Sequence, residues 1–126
     1  MTLARAGFAP GIHEIEAYGR GGFRFGGVSH VGSILATPSG IHALAARSMA
    51  EMSADTLAAL ALDAGRIDLA FIGTGPSLVP LTPALRTYLT GLGLRYEALP
   101  TAAAARTYNV LVREGRRVAA ALIAVD

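Results

Sequence analysis

The stretch DLAFIGTGPSLVPLTP, from Asp68 to Pro83, predicts how the rest of the chain is organised. From Ile67 to Ile72 the residues form an apolar run broken only by Asp68, which is typical of a strand covered on both faces of a parallel sheet. The glycines at 73 and 75 close this strand, and Thr82 followed by Pro83 is a helix start. The stretch therefore predicts a central strand, a tight turn and a helix.

The second half of the chain continues this alternation of helices and strands. Ser53 and Thr101 are placed to cap helices, and glycines lie where those helices would end. The short apolar runs between these helices are predicted to be strands. We expect helices at Ser53–Gly65, Pro83–Gly91 and Ala102–Glu114, and strands at Ile67–Ile72, Leu94–Leu99 and Arg117–Val125.

The first half is a β-meander punctuated by glycine. Six glycines between residues 19 and 32 supply the positive φ or close approach that turns and bulges need. The predicted strands are Ile12–Tyr18, Phe23–Phe25, Val28–Val31, Ser33–Ala36 and Ile41–Leu44. The predicted fold class is α/β: a three-layer single domain with a mixed β-sheet, a C-terminal βαβαβ unit and an N-terminal β-meander.

Chain length and apolar content indicate one domain. A chain of 126 residues with 52% hydrophobic residues can bury a continuous core without further domains. We expect a flexible N-terminal arm at residues 1–11 and a single α/β domain at residues 12–126. No apolar run approaches the roughly 18 residues of a membrane-spanning helix. We expect a cytoplasmic protein without a transmembrane segment, and peripheral membrane association stays open.

The residue inventory argues against several kinds of site. The chain has no cysteine, and His13, His30 and His42 lack metal-ligand spacing, so we expect no metal and no cofactor. A net charge of +2 is too small to indicate nucleic-acid binding. Glu14 and Glu16 could form a carboxylate pair, although a solvent-facing strand edge explains them more simply. We name no catalytic residue.

The turn after the central strand is the first candidate site. Ligands of parallel sheets bind at the carboxyl ends of the strands, which here means Gly73, Thr74, Gly75 and Ser77. A helix start nearby would supply free N–H groups for an anion. The turn has no lysine and departs from the known phosphate-binding glycine motifs, so a tight turn under packing constraint is the simpler interpretation.

The third predicted helix carries the second candidate surface. Arg106, Asn109 and Arg113 share one polar face, whereas Tyr108 lies on the apolar face. The polar face is either an ordinary solvated face or a recognition surface, in which Arg106 would bind a carboxylate or phosphate. Tyr108 is more typical of a core aromatic than of a catalytic acid.

Four segments in this order resemble a known family. They are YGRGGFRFGG (Tyr18–Gly27), GSIL followed by PSG (Gly32–Gly40), FIGTG (Phe71–Gly75) and RTYNVLVREGRRVAAALI (Arg106–Ile123). Together they resemble the small domain-of-unknown-function family that contains mitochondrial respiratory complex I assembly factor three and the adipogenesis-associated domain protein, with many bacterial members. The resemblance covers nearly all residues from about Pro10 onward.

This resemblance implies a compact three-layer α/β domain and protein partners, namely complex I subunits or other assembly factors. The chain differs from the bacterial pattern by having Leu44 in place of a tryptophan, and alanines before TYN in place of an acidic-glycine-cysteine pattern. Two functional hypotheses follow. One is a non-enzymatic interaction or assembly protein with an exposed, partly apolar patch rimmed by arginine. The other is a small-molecule or anion-binding protein or enzyme whose pocket joins the Gly73–Ser77 turn to Arg106 and Asn109.

Overall fold

The computed structural model describes residues 8–126 and has nine strands and three α-helices within them. The helices are α1 (Ala58–Asp63), α2 (Pro83–Gly91) and α3 (Thr101–Arg113), with short 3-10 turns at Met49–Glu51 and Ala64–Arg66. The strands are β1 (Phe8–Pro10), β2 (Ala17–Gly19), β3 (Gly22–Phe25), β4 (Val28–Val31), β5 (Ser33–Thr37), β6 (Gly40–Leu44), β7 (Leu69–Gly73), β8 (Tyr96–Leu99) and β9 (Val118–Leu122).

Six strands form a mixed sheet in the order β1-β6-β5-β9-β7-β8. Strand β7 pairs in parallel with both β8 and β9, while β5 pairs antiparallel with β9 and β6. Strands β2, β3 and β4 form a separate antiparallel sheet. The predicted C-terminal βαβαβ unit and N-terminal meander are both confirmed.

The sheet lies between two layers, and its alternating side chains build two cores. Ala70 and Ile72 point towards the side of α1 and α2, whereas Phe71 points towards α3 and the small sheet. Strand β5 alternates in the same way, with Leu35 on the first side and Ile34 on the second. Because both faces are covered, β7 and β9 carry no polar side chain, and for β7 this agrees with the apolar run in the sequence.

The helix start at Thr82 is confirmed by its hydroxyl, which accepts a hydrogen bond from Leu85 N at 3.2 Å. The predicted start of α1 is wrong, because Ser53 and Thr56 exchange side-chain hydrogen bonds in a turn and the helix begins only at Ala58. The predicted cap at Thr101 is also wrong. Thr101 is the first helical residue, and its buried hydroxyl bonds elsewhere in the fold.

The predicted strand at Ile12–Tyr18 is mostly wrong, since pairing begins only at Ala17 and residues 11–16 are irregular. The described fold also starts before the predicted boundary at residue 12, because Phe8–Pro10 pairs with β6. The remainder of the predicted arm, residues 1–7, lies outside the described residues. Across residues 8–126 no helix is long and apolar enough to cross a membrane.

Candidate functional site

The carboxyl end of β7 is bonded to its neighbours on both sides. Gly73 O accepts from Ile123 N at 3.0 Å, and Thr74 N donates to Leu99 O at 2.8 Å. Gly75 N donates to the Thr101 hydroxyl at 3.0 Å, and Gly75 O accepts from Thr101 N at 2.8 Å. The turn therefore lies beside the start of α3 as the sequence predicted, but the two segments use their polar groups on each other.

Gly73 is required by close packing. A Cβ at this position would lie 2.8 Å from Leu122 Cδ2 and 3.1 Å from both Cα and Oγ1 of Thr101. Contacts this short force a neighbour to move, and here one of them is helix backbone. The space that a ligand would need next to Gly73 is thus filled by Thr101 and Leu122.

Thr74 shapes the exposed loop that follows. Its buried hydroxyl donates to Ser77 O at 2.7 Å and accepts from Val79 N at 3.1 Å. The whole of Pro76–Pro80 is exposed, and Leu78 leaves 57% of its surface in solvent. A buried threonine therefore holds an apolar loop outward at the carboxyl edge of the sheet.

The polar face of α3 contacts the irregular segment that precedes β2. Asn109 Oδ1 accepts from Ile15 N at 2.7 Å, and Asn109 Nδ2 donates to Ile15 O at 2.9 Å. Arg113 forms an ion pair with Glu14, with 2.8 Å between Nη2 and Oε1. This pair raises the pKa of the Arg113 guanidinium through its hydrogen bond and the charge of Glu14.

Arg106 and Tyr108 also form hydrogen bonds with residues near Ile15, one after it and one before it in the sequence. Arg106 donates from Nη1 to the hydroxyl of Tyr18 at 3.2 Å. Tyr108 is only 1% exposed, packs in the core beneath α3 and donates its hydroxyl proton to His13 O at 3.2 Å. Burial, with a smaller effect of the Glu14 charge, raises the pKa of Tyr108 well above its ordinary value. Tyr108 therefore stays protonated and acts as a hydrogen-bond donor.

The structure thus gathers the four predicted α3 residues on one partner, the segment His13–Tyr18. It does not join them to the Gly73–Ser77 turn. Within residues 8–126, the side-chain hydrogen bonds of Arg106 and Asn109 go to Tyr18 and Ile15, and none reaches that turn.

A further polar cluster lies on the other side of the sheet and was missed from sequence. Asp63, at the end of α1, accepts from Ser39 N at 2.8 Å and from Ser39 Oγ at 2.7 Å. Burial alone would raise the pKa of Asp63, but hydrogen bonds from Ser39 and Thr37 and the charge of Arg66 bring it below its ordinary value. The two residues are 24 positions apart, so no motif could reveal them.

An open groove of about 420 Å³ lies along β2, β3 and β4. Exposed Val31 contributes apolar surface, and Arg20 and Arg24 contribute charge. Tyr18 lines the groove from a strand position that aligns with Phe23 and His30, so its side chain lies on the opposite face of the small sheet. Arg20 belongs to the GRGG segment and is not among the predicted site residues. Among the described residues no group of three or more histidine, aspartate or glutamate side chains is arranged to hold a metal ion.

Residues 15–123 match the family model described as protein of unknown function (DUF498/DUF598). The chain belongs to the DUF498/DUF598 family. It is 46% identical over 123 residues to an uncharacterised protein of Rhodobacter capsulatus, with 98% of this chain and 93% of that protein covered. It is 32% identical over 109 residues to NADH dehydrogenase [ubiquinone] 1 alpha subcomplex assembly factor 3 of Xenopus tropicalis, covering 86% of this chain and 60% of the frog protein.

Solved structures agree with this membership of the DUF498/DUF598 family. A protein described as an outer membrane protein from Bartonella henselae superposes with a TM-score of 0.87 at 40% identity, covering 93% of this chain and 98% of that one. A Mth938-like domain from Bordetella pertussis superposes with a TM-score of 0.73 at 28% identity, covering 87% of this chain and 84% of that one. The fold of the chain is therefore the Mth938-like α/β fold.

Proposed function

We propose that this chain is a non-enzymatic interaction protein of the assembly-factor kind, and that its partners are subunits or other assembly factors of respiratory complex I (NADH:ubiquinone oxidoreductase). The observation that carries the proposal is the 32% identity over 109 residues to an NADH dehydrogenase assembly factor. The aligned length takes in 86% of this chain, so the similarity extends over most of the domain. The frog protein is longer, since the match spans 60% of its length.

The surface of the domain supports a binding role. Exposed apolar side chains on monomeric proteins mark contact sites when they are grouped, and Leu78 and Val79 are consecutive and exposed. The groove along the small sheet adds exposed Val31 with two arginines beside it. This is the kind of partly apolar, arginine-rimmed patch that an interaction module needs.

In this proposal the predicted site residues position the segments that form the partner surface. Thr74 holds the loop around Ser77, and the packing of Gly73 and Gly75 against α3 fixes where that loop leaves the sheet. Arg106 contacts Tyr18 of β2 on the face of the small sheet that lies against α3. The segment that leads into β2 accepts hydrogen bonds from Tyr108, Asn109 and Arg113.

The proposed setting is cytoplasmic, with peripheral contact to the membrane where complex I is assembled, and with neither nucleic acid nor a cofactor as a partner. A pocket joining the Gly73–Ser77 turn to Arg106 and Asn109 is not proposed. The donors at Gly75 N and on Arg106 already have partners within the domain, and Thr101 fills the space beside Gly73.

Site-specific photo-crosslinking tests the proposal. A photoreactive phenylalanine analogue replaces Leu78 in one variant and Val31 in a second, and exposed Ala61 on α1 in a control variant. Irradiation in cells of the source organism should join complex I subunits or assembly factors to at least one of the first two positions and not to the control. Recovery of no stable protein partner from either position would overturn the proposed function.

A deletion strain separates the complex I assignment from a general binding role. Loss of the chain should lower the amount of assembled complex I in the membrane, measured by native electrophoresis, and the wild-type chain should restore it. If partners are captured while complex I is assembled normally in the deletion strain, the assignment to complex I is overturned and the interaction role remains.

A further inference from the structure

Strand β8 lies at one edge of the six-stranded sheet, and within residues 8–126 its outer side has no strand neighbour. Arg95 O, just before the strand, accepts from Ala70 N at 2.9 Å, and Leu99 O accepts from Thr74 N at 2.8 Å. The N–H and C=O of one strand residue point to the same side, and successive residues alternate. The backbone groups of Tyr96 and Ala98 therefore point away from β7, where another strand can bond them.

Two opposite charges lie along this edge. Arg95 and Glu97 are exposed, and because they are two positions apart in an extended segment they lie on one face of the sheet. Glu97 aligns with Phe71 of β7, which places that face on the α3 side. Neither side chain forms a hydrogen bond or ion pair with any residue from 8 to 126. Charges on an edge strand usually prevent pairing, but these two have opposite signs and permit it in one register.

Among antiparallel registers of two copies centred on residues 95–98, only one suits both the backbone and the charges. A two-fold axis at Arg95 or at Glu97 places identical charges opposite each other, which destabilises a strand pair. An axis at Ala98 places Tyr96 opposite Pro100, which has no N–H to donate. An axis at Tyr96 places Arg95 of each copy opposite Glu97 of the other. In that register the two Tyr96 residues exchange N–H to C=O hydrogen bonds.

Open space beside β8 leaves room for a second copy. An open pocket of about 500 Å³ lies between the strand and α2, and its lining residues are Arg86, Thr87, Thr90, Gly91 and Tyr96. Most of the α2 residues in this lining are small, and Arg86 is held by a hydrogen bond from Nη1 to Leu81 O at 2.8 Å. In the two-fold pair both Tyr96 rings lie on this face and next to each other, an arrangement that favours contact between aromatic rings.

We propose that this chain pairs with a second copy of itself through β8, so that the two six-stranded sheets continue as one. The backbone bonds between the Tyr96 residues join the copies, and the two Arg95–Glu97 pairs select the register. The paired strand has only four residues, so we expect weak association that needs a high protein concentration. The inference goes beyond the proposed function and does not depend on it.

Self-association of the wild-type chain is the first measurement. Sedimentation velocity from about 10 µM to about 1 mM protein should show a monomer converting to a dimer as the concentration rises. Amide chemical shifts over the same concentration series should change mainly at residues 95–98. This series needs no variant, so it tests the pairing even if a substitution disturbs the fold.

Two charge-reversal variants test the register. Arg95→Glu and Glu97→Arg each place like charges at both side-chain pairs, so each variant alone should associate at least about fivefold more weakly than wild type. An equimolar mixture restores opposite charges, because the acidic side chains of one variant face the basic side chains of the other. The mixture should therefore associate about as strongly as wild type. Circular dichroism checks that both variants are folded.

The control pair is Arg116→Glu and Glu114→Arg, which change the net charge by the same amounts at exposed positions after α3. Each control should associate as wild type does, alone or mixed. A wild-type chain that stays monomeric up to about 1 mM would overturn the inference. Single variants that associate as wild type does, or a mixture no stronger than its components, would also overturn it. The proposed function is then still decided by photo-crosslinking at positions 31 and 78.

Discussion

Asn109 of α3 and Ile15 of the irregular segment form two hydrogen bonds across 94 positions of sequence, one to the amide N–H of Ile15 and one to its carbonyl. The side-chain amide thus replaces the neighbouring strand that Ile15 lacks. Since Ile15 is only 4% exposed, water cannot readily replace either bond. This pair explains how a segment without secondary structure is fixed against the domain.

Asn109→Ala should lower the free energy of unfolding by about 2 kcal/mol, because two buried backbone groups lose their partners. Asn109→Asp keeps the acceptor for Ile15 N and loses the donor to Ile15 O, so its loss should be intermediate. Urea unfolding monitored by circular dichroism measures both. Val110→Ala, at the next and exposed position, is the control and should change stability by less than about 0.5 kcal/mol. A similar small change in Asn109→Ala would contradict the argument.

Thr101→Val should be costly although the two side chains have almost the same shape. The Thr101 hydroxyl accepts from Gly75 N at 3.0 Å and donates to Ile123 O at 2.7 Å, and the residue is fully buried. Leaving both groups unpaired should cost about 2–4 kcal/mol. Thr101→Ser keeps the hydroxyl and should recover most of the loss.

The control for this prediction is Thr107→Val on the same helix. The Thr107 hydroxyl donates only to Ala103 O, within the helix itself, so the change should be below about 1 kcal/mol. Equal unfolding midpoints for the two valine variants would show that the hydrogen bonds from the Thr101 hydroxyl to Gly75 and Ile123 do not stabilise the fold.

Gly73→Ala and Gly91→Ala form a matched pair with opposite expected signs. At Gly73 the added methyl group would lie 2.8 Å from Leu122 Cδ2, and we expect a loss of about 1–3 kcal/mol. At Gly91, the last residue of α2, nothing lies within 4 Å, and alanine should stabilise the protein by about 0.5 kcal/mol. Thermal unfolding followed by calorimetry distinguishes the two. If Gly73→Ala left the free energy of unfolding unchanged, the turn after β7 would be less tightly packed than its contact distances indicate.

The Asp63 carboxylate should make stability depend on pH in the acid range. Its pKa is lowered in the folded protein, so its contribution is complete above the ordinary aspartate value of about 3.9 and is lost as the pH falls through the lower folded value. Asp63→Asn should cost about 1–2 kcal/mol at pH 6 because the Ser39 hydroxyl loses a charged acceptor. The difference from wild type should shrink below about pH 4.

Urea unfolding at several pH values between 6 and 2.5 measures this dependence. Asp55→Asn, at an exposed position before α1, is the control and should follow the wild-type curve. A difference between wild type and Asp63→Asn that stays constant down to the lowest pH would show that the charge of Asp63 is not what stabilises the hairpin at Ser39.

The sequence by itself determined the class of fold and most of its second half. The apolar run before Gly73 fixed a strand buried on both faces, and Thr82 with Pro83 fixed the start of α2, because burial and capping act between residues close in sequence. The 3.6-residue period also placed Arg106, Asn109 and Arg113 on one face of α3, separate from Tyr108.

Only the tertiary structure decided what that face contacts. Its partners at residues 13–18 lie more than 80 positions away in the sequence. No local sequence pattern spans such a separation. The same holds for Ser39 with Asp63 and for Thr101 with Gly75, whose separations are 24 and 26 positions. Hydrogen bonds between distant segments leave no periodicity in sequence. They form because the order of strands in the sheet brings those segments together, and that order is set by packing of the whole chain.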